Sequence, residues 1–206
     1  MFIRKNLFTL LSVNVPDVRD KRKSWTENLP NYTKEKLVFL DESGVNTNMT
    51  RIYGRALGGT RSVDKVPLNT STNTTILSSI RINGETSYTT YSGGTTGDKF
   101  VKYLKNTLIP TLHDGDIIVM DNMRSHHVKE VSKTINDSDK NLTLLYLPPY
   151  SPDFNPIEMM WSKIKSILRM IKIRDISMLS DAIKTAFSKI TSSDCIGWFS
   201  AVGLRQ

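Results

Sequence analysis

Residues 144–169, LLYLPPYSPDFNPIEMMWSKIKSILR, restrict the possible folds more than any other stretch of this chain. Leu144, Leu145, Tyr146 and Leu147 form a short apolar run that reads as a buried strand. Prolines follow at 148, 149, 152 and 156. Proline fixes φ and has no N–H to donate, so these positions cannot lie inside a helix or a central strand. The chain must therefore leave the strand through a stiff, extended bend. Asn155 and Pro156 predict a helix start, with Asn155 as the N-cap and Pro156 at the first helical position. Ile157, Trp161, Ile164 and Leu168 recur at helical spacing as an apolar face, and Glu158, Ser162, Lys165 and Arg169 make a polar face beside it. Most glutamates in a first helical turn only complement the positive end of the helix dipole. The prolines set Glu158 apart, because they hold its helix start where a simple connection would not need them.

Two other apolar runs end in aspartate. Leu37–Leu40 (LVFL) reads as a strand buried on both faces and leads into Asp41-Glu42-Ser43-Gly44. Ile117–Met120 (IIVM) leads into Asp121-Asn122. One aspartate after a strand is an ordinary turn residue. Two begin to describe a site, because neighbouring strand ends in an α/β sheet lie close together. Glu42 competes with Asp41, but strand alternation sends it to the opposite side. Residues 74–91 read as a hairpin turning at Asn83-Gly84. A helix should start at Thr96, with Phe100, Leu104 and Leu108 on one face and Pro110 beyond its last turn. Helices over 128–135 and 177–190, and a last one capped by Ser193, complete the order. This is a mixed α/β sheet with helices on both faces.

The 206 residues suit a single substantial core, and the net charge of +8 favours a polyanionic partner. Cys195 is the only cysteine, which fits a reducing compartment. No run approaches the ~18 apolar residues of a membrane span. The opening MFIRKNLFTLLSV lacks the length and cleavage site of a signal peptide, so a cytoplasmic location is expected. Residues 1–35 are expected to be a charged segment ahead of the main domain, with 17–29 as a solvated helix that ends before Pro30.

Pro-Tyr-Ser-Pro followed by Asn-Pro-Ile-Glu, LVFLDESGVNT around Asp41, and Asp121-Asn122 with His126 four residues later together resemble the DDE transposases of the IS630/Tc1/mariner superfamily. The resemblance implies a ribonuclease H-like catalytic domain over 36–206. It also implies Asp41, Asp121 and Glu158 as catalytic, metal-binding acids for two Mg²⁺ or Mn²⁺ ions, with Asp41 shared between the ions. Such acids suit hard ions, which prefer carboxylate oxygens. The implied reaction is phosphodiester hydrolysis followed by DNA strand transfer. The implied partners are transposon ends, target DNA and a second copy of the chain, with neither a membrane nor a small-molecule substrate. Arg51, Arg55, Arg61, Arg124, His126, Lys165 and Arg169 are the candidate DNA contacts. Known members carry helix-turn-helix modules ahead of this domain, for which the chain has little room. Two other readings remain open, a hydrolysis-only nuclease of the same fold and a truncated remnant that only folds or binds DNA.

Overall fold

The computed structural model describes residues 15–51, 53–66, 73–121 and 129–204. Five strands form one sheet: β1 (Leu37–Val45), β2 (Thr74–Ile80), β3 (Thr86–Ser92), β4 (Ile117–Met120) and β5 (Thr143–Tyr146). Their order is β3-β2-β1-β4-β5. β1 pairs antiparallel with β2 and parallel with β4, and β5 continues the parallel side. The central position of β1 explains its unbroken apolar run, since Leu37 to Leu40 are covered on both faces. β5 departs from the expected buried strand. It is an edge strand whose residues are only partly covered, and it starts one residue earlier, at Thr143.

Alternation along these strands feeds two cores. Phe39, Ile76, Ile80 and Val119 face one layer of helices, α4 (Ile157–Ile171), α5 (Leu179–Phe187) and α6 (Ser192–Ala201). Leu40, Leu77, Ile118 and Met120 face the other layer, α2 (Gly97–Tyr103) and α3 (Lys129–Asn136). Each fully buried side chain of this size contributes about 1.5–3 kcal/mol relative to exposure. The helix expected from Thr96 is present, with the Thr96 hydroxyl accepting from the Lys99 N–H. It widens into a π-helical stretch at Leu104–Leu108 and ends in a 3-10 turn that holds Pro110.

The hairpin turn is wider than Asn83-Gly84 alone. It runs from Arg81 to Glu85, whose backbone groups pair, and Gly84 takes φ +95°. A side chain there would press on the Ser192 backbone at 3.1 Å, so this position suits glycine twice over. Arg81 and Asp116 form a buried ion pair from the end of β2 to the start of β4, across β1.

The N-terminal helix α1 (Pro16–Asn28) was expected to be solvated. Its polar residues are largely exposed, but Val18 and Trp25 are buried, and Trp25 joins Leu29 in the same core as the buried face of α4. Its apolar positions are too sparse to show as an amphipathic pattern, which is why the sequence read as fully solvated.

Candidate active site

The register of the parallel strands sets the first two acids side by side. Leu40 pairs with Met120, so Asp41 and Asp121 are the next residues on adjacent chains. β4 ends at Met120, whereas β1 continues to Val45 against β2, with Asp41 opposite Ser78. Asp41 thus lies inside a strand, not in a turn. Alternation puts it on the face of Phe39, toward α4. Glu42 pairs with Leu77 on the other face and acts electrostatically on Tyr91 there.

The proline linker supplies the third acid. Asn155 is extended and buried, and its side-chain oxygen accepts from the Ile157 N–H at 3.3 Å. Pro156 already has helical dihedrals, while the hydrogen-bonded helix begins at Ile157. The difference from the expected start is one residue, and Asn155 performs the capping role assigned to it. Ile157, Met160, Trp161, Ile164 and Leu168 are buried against the sheet, so α4 is anchored along its length. That packing sends Glu158 to the other side, into a cleft of about 390 Å³ shared with Asp41, Asp121 and linker residues 148–152.

The acids feel one another. Burial pushes Asp41 up to about 7, and the charges of Glu158 and Asp121 push the same way. Hydrogen bonds from the Glu42 backbone and the Trp161 indole oppose the rise. Glu158 is also held above the usual carboxylate range, first by the surrounding cleft and then by Asp121, with Lys165 pulling it down. Among the described residues no three acids, histidines or cysteines form a ready-made metal cage. The donor types nevertheless fit a hard divalent cation: three oxygen acids on one cleft, two with pKa values raised partly by their neighbours.

Sequence reasoning placed Trp161 only in the apolar face of its helix. Trp161 is buried, and its indole N–H donates to Asp41 Oδ2 at 2.9 Å. Buried indoles commonly pair their N–H, and the place of Trp161 one turn after Glu158 was the available signal. Phe199 is buried against Phe39.

The proposed DNA contacts divide. Lys165 and Arg169 follow Glu158 along α4, and Lys165 acts on it directly. Arg51, Arg55 and Arg61 are exposed in the segment after β1, outside the acidic cleft. No strand forms among the described residues 51 and 53–66. Instead Lys172 pairs with Asp64 at 2.5 Å, and Arg174 donates to the carbonyls of Thr47 and Met49, tying the segment to the end of α4. Arg124 and His126 lie outside the described residues.

Residues 36–180 match the family of DDE superfamily endonucleases. The chain belongs to this family. No curated protein sequence matches it. The DDE domain is similar in fold to the Mos1 transposase paired-end complex with left transposon end, at a TM-score of 0.76 and 16% identity over 98% of this chain and 63% of that one. It is similar also to the Mos1 mariner paired-end complex with Mn, at 0.74 and 16% over 98% of this chain and 64% of that one. Against the catalytic domain of Mos1 mariner transposase alone the TM-score is 0.68 at 14% identity, over 95% and 91% of the two chains. The mixed sheet flanked by helices is thus the ribonuclease H-like fold. The chain spans less than two thirds of the Mos1 chains in the paired-end complexes.

Proposed function

We propose that this DDE domain is the catalytic part of a cut-and-paste DNA transposase, with Asp41, Asp121 and Glu158 as its metal-binding acids. One observation carries the reading: the strand register sets Asp41 beside Asp121 on the side of the sheet where α4 presents Glu158 to the same cleft. Two Mg²⁺ or Mn²⁺ ions, when bound, would make water a usable nucleophile and stabilise the attacking and leaving oxygens of a phosphodiester. Asp41, Asp121 and Glu158 would together hold the ions through their carboxylate oxygens.

The chain's own residues prepare that chemistry. The Trp161 indole holds one oxygen of Asp41 in place. Lys165 favours the ionised form of Glu158. The prolines build the cleft wall from backbone that loses little freedom on binding. Like solved Mos1 complexes, which contain a transposon end, the domain would engage transposon ends and target DNA, and it would act as a homodimer. Residues 1–35 would precede the catalytic domain proper, and the protein would work in the cytoplasm on chromosomal DNA. Among the described residues no helix is long and apolar enough to cross a membrane.

The test is a paired assay with Mn²⁺ or Mg²⁺. Nicking of plasmid DNA reports hydrolysis, and joining of a pre-cut 3′-hydroxyl oligonucleotide to the plasmid reports strand transfer. Both should occur in the wild type and vanish in Asp121→Asn. Nicking without joining would assign a hydrolytic nuclease, and neither product would leave a DNA-binding remnant.

A further inference from the structure

Tyr150 stands apart in the cleft. Among the described residues only Tyr150 and Lys172 have positive φ without being glycine, at 55° and 56°. Lys172 caps the C-terminus of α4, where a left-handed residue is common. Tyr150 has no such excuse: it lies in the linker between β5 and α4, where an aromatic side chain in this conformation is strained. The residue is 56% exposed and lines the same cleft as the three acids.

Arg22 of α1 holds this loop from behind. Its Nη1 donates to the Tyr150 carbonyl at 3.3 Å and to Ser151 Oγ at 2.7 Å. Nη1 and Nη2 both donate to the Asp153 carboxylate, at 3.0 and 2.6 Å, and the guanidinium lies 4.3 Å from the centre of the Phe154 ring. Ser151 Oγ in turn donates to the Pro149 carbonyl at 3.1 Å. A planar five-donor fork can make this set of bonds, and an ammonium cannot. The Arg22 side chain is only 18% exposed. The buried Val18, Trp25 and Leu29 fix α1 and thereby fix Arg22.

We propose that Tyr150 is a substrate-contacting residue that stacks on a nucleobase of the cleaved strand, and that Arg22 is the positioning residue that holds it there. The inference rests on the DNA-cleaving reading above. A ring suits this place chemically. The acids repel phosphates, whereas an uncharged π-face at the cleft wall attracts any base, whatever the sequence. The positive φ sets the direction of the side chain, and an extended backbone would direct it elsewhere. The residues before the family-matched segment thus help to shape the site.

The experiment uses the full chain with a single-stranded oligonucleotide carrying 2-aminopurine, in Mn²⁺, read by fluorescence quenching and by affinity. Melting temperature and plasmid nicking are measured alongside. Tyr150→Gly should abolish most of the quench and weaken binding about tenfold, the scale of one lost base–aromatic stack. Its melting temperature should equal or exceed that of the wild type, because glycine accepts the positive φ without strain. A purely structural tyrosine would not separate the two readouts in that way. Tyr150→Phe should keep the quench. Arg22→Ala should weaken binding, and adding it to Tyr150→Gly should cause no further loss. Additive losses would show that Arg22 touches DNA itself and would overturn its positioning role. If the wild type nicks DNA and Tyr150→Gly binds and quenches equally well, this inference alone falls. If the wild type neither binds nor nicks DNA, the functional reading falls with it.

Discussion

Asp41 is the residue on which burial, charge and hydrogen bonding meet. Its carboxyl titrates near 7 in the folded protein against 3.8 ordinarily, so the folded state binds its proton more tightly than the unfolded chain does. Without metal, stability from this group should be full below about pH 4 and should decline as pH rises toward 7. Asp41→Asn removes that loss. Urea unfolding at pH 8 in chelator should find the variant more stable by about 2–4 kcal/mol, and the gap should close at pH 4. An equal gap at both pH values would show that Asp41 carries no raised pKa. Trp161→Phe keeps the ring packing but removes the donor to Asp41 Oδ2. Hydrogen bonds to charged groups are worth about 1.5–3 kcal/mol, so nicking should drop roughly tenfold or more while the fold persists. Unchanged nicking rates in Trp161→Phe would reduce the indole contact to simple packing.

At the scale of elements, the proline linker and the sheet register do most of the positioning. Replacing Pro149 and Pro152 together with glycine should keep all three acids but loosen the cleft wall. Nicking should fall and recover in part at high Mn²⁺, and a loss that no metal concentration recovers would mean the prolines act otherwise. At the far end of the sheet, Arg81→Ala would leave Asp116 charged and buried, at a cost of about 3–5 kcal/mol in chemical unfolding. Much of this arrangement was legible in the sequence. Leu37–Leu40 and Ile117–Met120 read as buried strands because each is apolar throughout, and their trailing aspartates pointed to a shared end. Asn155-Pro156 marked the start of α4 to within one residue for a local reason, the capping chemistry. Other features depend on distant partners. Nothing local in β5 tells that it lies at the sheet edge, and nothing near Arg22 points to Asp153. The Trp161 bond to Asp41 likewise spans 120 positions.

On the scale of the whole molecule, a net charge of +8 coexists with an acidic cleft. Positive charge therefore has to meet DNA phosphates around the site, while divalent ions would neutralise its centre. Binding to DNA should be weakly selective and should drop at least about a hundredfold between about 50 and 200 mM salt, as for about four phosphate contacts. Tight binding to one sequence that survives high salt would require a specificity element in the chain. The central claim is that Asp41, Asp121 and Glu158 jointly hold divalent ions. Anomalous diffraction from a crystal soaked in Mn²⁺ tests it most directly. The account predicts manganese peaks in the cleft at about 2.1 Å from oxygens of all three acids, as expected for small hard ions. Manganese bound at Glu42 on the opposite face, or a well-occupied site that leaves Glu158 uncoordinated, would contradict it.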